Sequence, residues 1–471
     1  MAKKNVKTAW FCTECGAEAP KWEGRCPACG AWNTLVEERV APASPTGGTK
    51  GKRPAGRRQR ALAVNEIEAL SETRILMPSK ELNRVLGGGL VAGSIVLLGG
   101  EPGIGKSTLV LQNLLSIKSR TILYVSGEES ATQLKLRADR IGRGSDNVFI
   151  VCETSLETIF DHIEAVQPSI LVVDSIQTIA SEALDSAAGS VGQVRECAAR
   201  LLKYAKEQNV PVLLIGHITK EGSLAGPKVL EHIVDAVLQF EGDSRYMYRI
   251  LRPIKNRFGS TAELGIYEMA RTGLREVTNP SEMLMSHNAG SDALSGVAIG
   301  VTVDGARPFL IEVQALVSTA AYGTPQRSVN GFDSKRMNML LAVLEKRVGF
   351  RLGQKDVFLN IAGGLKVTDP ALDLAVVAAV MSSNFDMSLP PRTAFAGEVG
   401  LSGEVRTVTR VEQRVAEAEK LGFNTIYIPK GNLKGMSPKF KINVVEVGKV
   451  QELVQSLFGH GRNRSDADTR E

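Results

Sequence analysis

Short apolar runs alternate with longer stretches of helical periodicity between residues 66 and 278. The runs predict five strands, at residues 94–98, 121–125, 148–151, 170–173 and 210–215. Between several of these runs, apolar residues recur at helical spacing, as over residues 155–166 and 194–208. Apolar strands that alternate with helices are typical of a parallel sheet covered on both faces. This part of the chain is therefore predicted to be an α/β domain.

A second α/β region is predicted from about residue 285 to residue 457. Its pattern indicates paired strands at 297–303 and 309–315, and amphipathic helices at 335–348 and 372–383. Because 471 residues exceed what one hydrophobic core organises, several domains are expected. We predict a cysteine-bearing module at residues 1–36 and a flexible basic linker at 37–65. The two α/β domains are predicted at 66–280 and 285–457, and a disordered tail at 458–471.

The predicted linker is rich in Pro, Gly, Ser and Thr, and it also carries six basic residues. These residues are Lys50, Lys52, Arg53, Arg57, Arg58 and Arg60. A segment of this composition is typical of a solvated tether between domains. Contact of its basic side chains with nucleic-acid phosphates is the alternative interpretation.

The overall composition narrows the function classes only slightly. Hydrophobic content of 43% and charged content of 23% are ordinary for a globular protein, and a net charge of +6 permits a polyanionic partner without requiring one. No run of about 18 apolar residues occurs, so no membrane-spanning helix is predicted. The first ten residues lack the apolar core of a signal peptide, and we therefore predict a cytoplasmic location without membrane contact.

Two cysteine pairs with metal-ligand spacing lie near the beginning of the chain, namely Cys12-x2-Cys15 and Cys26-x2-Cys29. A glycine follows each pair, so that a tight turn can bring both thiolates to one ion. Four thiolates form a closed tetrahedral site, which indicates a structural Zn²⁺, with an iron centre as the alternative. The segment has little other core, so the metal is expected to fold it.

The other cysteines and the tryptophans are interpreted as packing residues. Both remaining cysteines are predicted to be small buried apolar residues, namely Cys152 and Cys197. The three tryptophans of the cysteine module are expected to pack within it, with a contact surface as the alternative, and they are Trp10, Trp22 and Trp32.

Residues 100–107 read Gly-Glu-Pro-Gly-Ile-Gly-Lys-Ser and fit the phosphate-binding pattern G-x4-G-K-[ST]. The glycines let backbone N–H groups converge on phosphates, and the following helix adds its dipole. Lys106 is expected to reach the β- and γ-phosphates of ATP, Ser107 to bind Mg²⁺, and Thr108 to support the α- or β-phosphate. The predicted nucleotide-binding residues are Gly99, Gly100, Glu101, Pro102, Gly103, Ile104, Gly105, Lys106, Ser107 and Thr108.

Polar residues at three strand ends are candidates for hydrolysis. Asp174 ends an apolar strand and is expected to be the second anchor for Mg²⁺. Glu128 and Glu129 follow the strand at 122–126, and we favour Glu128 as the base that orients water, with Glu129 as the alternative. His217 follows the fifth strand, where sensing of the γ-phosphate and a structural role are both open.

Lys255 and Arg257 belong to the segment Lys-Asn-Arg-Phe-Gly, which follows a β-hairpin pattern far along the chain from the phosphate-binding loop. Cations two residues apart on an extended segment point the same way. This arrangement suits a cationic finger that reaches a phosphate on a neighbouring subunit. Ordinary surface charges are the alternative.

Taken together, these motifs resemble the bacterial DNA-repair RadA (Sms) family over nearly the whole chain. The resemblance rests on the four cysteines, on residues 100–107, on Lys-Asn-Arg-Phe-Gly at 255–259 and on a terminal region similar to the Lon protease. It implies a RecA-type ATPase core that assembles as a homo-hexameric ring and drives branch migration of DNA joints. Single-stranded DNA, branched DNA and the recombinase RecA are the implied partners.

The same resemblance implies particular residue roles. Lys255 and Arg257 would act on the ATP of the adjacent subunit. Three further basic residues would face single-stranded DNA in the channel of the ring, with ordinary exposed charge as the alternative, and these are Arg195, Lys220 and Lys228.

The region similar to the Lon protease lacks the Ser–Lys dyad of that family. Ala371 occupies the place of the serine, and Glu412 falls roughly at the place of the lysine. Alanine has no nucleophile and glutamate cannot replace an amine base, so the fold is expected without proteolysis. Six basic residues of this region have two possible interpretations, a duplex-binding face or solvated helix charge. They are Lys335, Arg336, Lys346, Arg347, Arg351 and Lys355.

Two rival functions remain beside a DNA-dependent ATPase. The first is an ATP-dependent protease of the Lon type, which the missing dyad disfavours. The second is a RecA-fold ATPase of the clock or signalling type without a DNA role, and stimulation of hydrolysis by DNA would discriminate it.

Overall fold

The structure is a computed structural model that describes residues 7–12, 17–40, 74–142, 144–217, 229–242, 248–285, 294–320, 324–364, 366–433 and 440–459. The chain divides into two compact units, Met1–Glu276 and Val277–Glu471. Most of the predicted linker and of the predicted tail lies outside the described residues, which include only residues 37–40 of the linker and 458–459 of the tail. Cys15, Lys220 and Lys228 also lie outside the described residues.

The cysteine module is a three-stranded antiparallel sheet with the strand order β2-β1-β3. Its strands are β1 (Lys7–Cys12), β2 (Glu18–Ala19) and β3 (Leu35–Val40). Its small core consists of buried Cys12, Ala19, Cys26 and Leu35, against which Trp10 packs. The prediction of packing is wrong for Trp22 and Trp32, which are 52% and 70% exposed, because so small a core has no room for two more indole rings.

The rest of the first unit is built on a nine-stranded sheet with the order β14-β13-β12-β11-β6-β10-β9-β7-β8. A separate two-stranded ladder precedes it, formed by β4 (Arg74–Ile75) and β5 (Leu90–Val91). The sheet strands are β6 (Ile95–Gly100), β7 (Ile122–Ser126), β8 (Val148–Cys152), β9 (Ile170–Asp174), β10 (Val212–His217), β11 (Ala236–Glu241), β12 (Tyr248–Asn256), β13 (Gly265–Ala270) and β14 (Gly273–Glu276).

Helices cover both faces of this sheet, as predicted. They are α1 (Lys80–Leu86), α2 (Lys106–Leu114), α3 (Ala131–Ile141), α4 (Leu156–Val166), α5 (Val191–Gln208) and α6 (Val229–Ile233). Alternate residues of β6 enter separate cores, with Val96 and Leu98 on one face and Ile95 and Leu97 on the other. The predicted α/β fold class with a parallel strand core is thereby confirmed. The β-hairpin pattern before Lys255 corresponds to the antiparallel pair β11–β12, while the antiparallel additions β13 and β14 were not foreseen.

The second unit contains a seven-stranded sheet with the order β17-β18-β16-β15-β19-β22-β23 and a separate ladder β20-β21. The strands are β15 (Val297–Asp304), β16 (Arg307–Thr319), β17 (Arg327–Asn330), β18 (Lys355–Ile361), β19 (Thr393–Phe395), β20 (Glu398–Val399), β21 (Val405–Arg406), β22 (Thr425–Pro429) and β23 (Asn443–Val447). The helices are α7 (Pro280–Leu284), α8 (Ser334–Val343), α9 (Asp373–Phe385), α10 (Val411–Lys420) and α11 (Val450–Phe458).

The predicted elements of this unit are present, and strands β15 and β16 pair as expected. Two details differ from the prediction, and the first is a π-helical turn at Leu344–Val348 that continues α8. The prediction of an amphipathic helix is wrong for α9, since it is buried on all sides from Asp373 to Ser382. This burial arises from tertiary packing, because α9 lies between β15 and β16 on one side and α8 and α11 on the other.

No helix in the described part of the chain combines the length and apolar character that crossing a membrane requires.

Candidate functional site

The turn from β6 into α2 has the backbone geometry of a phosphate-binding loop. Gly103 and Gly105 have φ angles of 75° and 112°, in the left-handed region that favours glycine. A Cβ atom on Gly100 would lie 2.7 Å from the carbonyl oxygen of Phe240, so a side chain does not fit there. Gly105 is the N-cap of α2 and offers no side chain to its first-turn amides, which leaves this positive helix end suited to a phosphate.

Lys106 is held inside this loop, and despite its charge it is only 4% exposed. Its Nζ donates hydrogen bonds to the carbonyl oxygens of Gly100 at 2.9 Å and Glu101 at 3.0 Å. Burial lowers the pKa of Lys106, while the nearby carboxylates of Asp174 and Glu128 act in the opposite direction. The result is a cation positioned where the loop backbone would surround the terminal phosphates.

Glu128 lies within a hydrogen-bonded chain that begins at Lys106. The Nζ of Lys106 is 3.3 Å from Nδ1 of His217, and Nε2 of the same ring is 2.8 Å from Oε1 of Glu128. An ammonium can only donate, so Nδ1 accepts and Nε2–H donates to the carboxylate. Burial raises the pKa of Glu128, but hydrogen bonds from Ser175, at 2.5 Å, and from His217 outweigh it and lower the pKa overall.

Asp174 ends β9 and is 4% exposed. Its Oδ2 accepts a hydrogen bond from the hydroxyl of Tyr124 at 2.5 Å, and Ser107 also hydrogen-bonds to it. Burial raises the pKa of Asp174, against the effect of these two hydrogen bonds. A carboxylate beside a serine hydroxyl forms the oxygen donor set that suits Mg²⁺.

Strand register brings these residues to one edge of the sheet. β10 lies between β6 and β9, so that His217 pairs with Gly100 while Ile215 pairs with Asp174. The carboxyl ends of parallel strands share an edge, which is where ligands bind in open α/β sheets. Glu129 also lies at this edge, but its Oε1 forms an ion pair with Arg137 at 2.6 Å.

Sequence reasoning missed Tyr124 and Ser175. Tyr124 lies in the middle of the buried strand β7, where its hydroxyl needs a partner, and this was the only available signal. Ser175 directly follows Asp174 and offers no pattern of its own.

Lys255 and Arg257 lie away from the phosphate-binding loop of their own chain. Lys255 is within strand β12 rather than after the hairpin as predicted, and it pairs with Val237, which in turn pairs with Leu97. Leu97 precedes Gly100 by three residues, or roughly 10 Å of strand. The two cations therefore lie toward the opposite edge of the sheet.

Both cations have partners within the chain. Lys255 Nζ donates to the carbonyl oxygens of Glu231 at 2.5 Å and Val234 at 2.9 Å, and Arg257 Nη1 lies 3.2 Å from Oδ1 of Asp235. Burial and the charge of Arg257 lower the pKa of Lys255. This geometry gives neither residue a contact with a nucleotide in its own chain.

The cysteine module brings three thiols together. The Sγ atoms of Cys12, Cys26 and Cys29 all lie within 4.8 Å of one another, and those of Cys12 and Cys29 are 3.7 Å apart. Ligands of a tetrahedral zinc with bonds of about 2.3 Å are about 3.8 Å apart. The residues therefore fit a zinc ion, for which Cys15 would supply the fourth thiolate.

Removal of zinc is expected to unfold the cysteine module while the nucleotide unit stays folded, because the module has so few buried apolar side chains. The measurement is near-UV circular dichroism during chelator titration, since all three tryptophans of the chain lie in this module. The tryptophan signal should disappear as zinc is released. Cys26→Ser should reproduce the loss and Cys152→Ser, which alters an exposed cysteine, should not. A tryptophan signal that persists after complete zinc release would contradict the structural role.

In the Lon-like region, an ion pair joins the partly buried Asp369 to Arg414, two residues away in sequence from Ala371 and Glu412 respectively. Asp369 accepts from the backbone amide of Ala371 at 3.0 Å through Oδ1 and from Arg414 Nη1 at 2.7 Å through Oδ2. Arg414 is buried and also donates to the carbonyl oxygen of Val301 at 2.7 Å. A guanidinium stays protonated and cannot act as a base, which argues further against proteolysis.

The basic residues predicted to bind nucleic acid are not equivalent. Lys335, Lys346, Arg347 and Arg351 are exposed. Arg336 instead pairs with buried Asp373, with Nε 3.1 Å from Oδ1, which argues against both interpretations for this residue. Lys355 donates a hydrogen bond to the side chain of Asn384 at 2.7 Å, and Arg195 is an exposed residue of α5.

The prediction that both remaining cysteines are buried is confirmed for Cys197 and wrong for Cys152, which is exposed because β8 is the edge strand of its sheet.

Comparisons with protein families match three parts of the chain. Residues 63–223 match the family described as AAA domain, and residues 10–37 match the rubredoxin metal binding domain. Residues 313–432 match the family described as subunit ChlI of Mg-chelatase. These matches coincide with the phosphate-binding unit, the cysteine module and the Lon-like region.

The chain is similar over nearly its whole length to proteins described as DNA repair protein RadA. It is 48% identical to that of Bacillus subtilis, with 98% of this chain and 100% of the relative covered. It is 46% identical to those of Halalkalibacterium halodurans and Listeria monocytogenes, over 98% and 97% of this chain and 100% of each relative. A crystal structure of a KaiC-like protein from Pyrococcus horikoshii covers 44% of this chain and 99% of its own, with 22% identity and a TM-score of 0.37.

Proposed function

The chain belongs to the RadA family of DNA repair proteins and hydrolyses ATP, and we propose that it couples this hydrolysis to branch migration of DNA joints. The observation that carries the proposal is the meeting of Lys106, Glu128 and Asp174 at one sheet edge in a chain similar throughout to DNA repair proteins. Single-stranded and branched DNA and the recombinase RecA are the proposed partners.

Each residue of the site has a proposed role. Lys106 binds the β- and γ-phosphates, and the amides of residues 100–108 surround them. Glu128 orients the attacking water and accepts its proton, held in place by Ser175 and His217. Ser107 and Asp174 hold Mg²⁺, which when bound neutralises charge on the phosphates. The four thiolates of the cysteine module hold zinc.

The position of Lys255 and Arg257 supports a ring assembly, which we propose to be a homo-hexamer. Both residues lie toward the sheet edge opposite their own phosphate-binding loop. Since a cation so placed lies away from the nucleotide of its own chain, a phosphate that it contacts would belong to a neighbouring subunit, where it would stabilise the charge that develops on the γ-phosphate.

Lys255→Ala is expected to reduce ATP hydrolysis on the order of 100-fold with nucleotide affinity retained, because one charge that acts on the transition state is lost. The matched control is Lys206→Ala, which removes an exposed cation bonded to Asp235 at 2.8 Å in the same cluster. The control should hydrolyse ATP at close to the normal rate.

Mixing Lys255→Ala with Lys106→Ala protein shows whether Lys255 acts on the ATP of a neighbouring subunit or only within its own. Mixed rings contain interfaces that join an intact loop to an intact Lys255, so part of the hydrolysis should return. A mixture no more active than its components would contradict a role across subunits.

The proposed function itself is tested by hydrolysis and strand exchange together. ATP turnover should rise with single-stranded and with branched DNA, and RecA-made joints should be extended faster only when ATP is hydrolysed. A chain whose turnover is unaffected by every DNA structure, and which leaves joint extension unchanged, has a different function.

A further inference from the structure

Two tryptophans of the cysteine module present large apolar rings to solvent. Trp22 is 52% exposed and Trp32 is 70% exposed. Both rings border the space above Gly24, since a Cβ atom there would lie 3.8 Å from Cη2 of Trp22 and 3.8 Å from Cζ3 of Trp32. The missing side chain of Gly24 therefore leaves a gap beside two aromatic rings.

A cation is held against one ring of this aromatic pair, that of Trp32. The guanidinium of Arg25 lies 5.9 Å from the ring centroid of Trp32, within the range of a cation–π contact. Its Nε also donates to the carbonyl oxygen of Gly30 at 2.9 Å, which ties the cation to the cysteine turn. Lys21 is exposed next to Trp22, with its Nζ 3.9 Å from a carboxylate oxygen of Glu23.

Positive charge is concentrated in this part of the chain. The first sixty residues contain twelve Lys and Arg against five Asp and Glu, whereas the whole chain has 57 against 51. The remaining residues therefore carry 45 basic and 46 acidic side chains, which nearly cancel. A polyanion would be attracted to the end of the chain that carries the exposed tryptophans.

We propose that Trp22 and Trp32 form a stacking platform for unpaired bases of single-stranded DNA, next to the phosphate-attracting cations Lys21 and Arg25. Proteins that bind single strands combine positive charge with aromatic rings, because every base has a face that stacks. Exposed Trp and Arg are also enriched in protein interfaces, so a protein partner is the rival occupant that the test has to exclude. The proposal rests on the proposed action on DNA and adds a binding site outside the ATPase unit.

The test uses the full zinc-loaded chain with two probes, oligo(dT) and an abasic oligonucleotide of the same length. All three tryptophans of the chain are in this module, so intrinsic fluorescence reports on it alone. Oligo(dT) should quench the emission strongly, and the abasic strand, which keeps the phosphates, should quench it weakly. Equal quenching by both probes would overturn base stacking.

Three variants separate stacking from structure, with bound zinc as the measure of an intact module. Trp22→Ala with Trp32→Ala should weaken oligo(dT) binding about 10-fold or more. Trp22→Phe with Trp32→Phe should keep most of the affinity, because phenylalanine also stacks. Gly24→Val should weaken binding by filling the gap, since its Cβ would make only ordinary contacts there. Trp10→Phe, which changes a packed ring, is the matched control.

Unchanged oligo(dT) affinity in the double alanine variant would overturn the proposal and leave the rings to a protein partner. Stimulation of ATP hydrolysis by DNA is measured in parallel on the unaltered chain. Absence of that stimulation together with normal quenching would count against the proposed motor function alone, so the two failures are distinguishable.

Discussion

Replacing Lys106 with alanine is expected to lower ATP hydrolysis by about 1000-fold or more. The ammonium of Lys106 lies between the loop carbonyls of Gly100 and Glu101 and the carboxylates of Glu128 and Asp174. Without it, the phosphate-binding loop would offer the phosphates no side-chain cation of its own against two carboxylates and two carbonyl dipoles. Loss of one preorganised charge contact costs on the order of 100- to 1000-fold, and the unopposed negative charge adds to this.

The measurement is phosphate release at saturating ATP with single-stranded DNA present, together with binding of a fluorescent ATP analogue. Lys118→Ala is the matched control, since it removes an exposed lysine just beyond the end of α2. The control should hydrolyse ATP normally, and both variants should unfold at similar temperatures. Turnover near the normal rate in Lys106→Ala would place the hydrolytic site elsewhere in the chain.

Glu128→Gln is expected to reduce hydrolysis about 1000-fold while ATP still binds. The amide keeps the shape of the side chain but cannot accept a proton from water, and general-base contributions are typically 100- to 10,000-fold. Hydrogen bonds from Ser175 and His217 lower the pKa of Glu128, so the normal carboxylate is ionised at neutral pH. The variant should therefore hold ATP without turning it over.

The neighbouring residue supplies the control for this prediction. Glu129→Gln weakens the ion pair with Arg137 but leaves Glu128 in place, and it is expected to cost less than about 10-fold. Single-turnover hydrolysis and analogue binding are compared in both variants. A larger loss in Glu129→Gln than in Glu128→Gln would reverse the assignment of the base.

The strands of the nucleotide unit were predictable because each is a continuous apolar run in its own stretch of chain. All five predicted strands are present, with ends shifted by at most two residues. The later strands β13 and β14 were missed, because partly exposed antiparallel strands lack such continuous runs. The helix α9 was expected to be amphipathic, and its burial on all sides became apparent only from its neighbours.

Side-chain partners show the same limit. Arg336 and Arg351 are both basic residues near helix α8 in the sequence, yet one pairs with buried Asp373 and the other is exposed. Nothing local distinguishes them, since Asp373 lies 37 residues beyond Arg336. Trp22 and Trp32 likewise differ from Trp10 only in how much core was available to cover them.

The sequence by itself determined the fold class, the metal-binding spacing and the phosphate-binding loop, because each depends on residues that are close along the chain. The tertiary structure alone decided which distant groups meet. It joined Lys106 to His217 and Glu128, gave Asp174 a hydroxyl partner in Tyr124, and separated Lys255 from the loop of its own chain. Strand order and register set these distances. Both depend on packing between segments that are far apart in the sequence, so a local sequence pattern does not predict them.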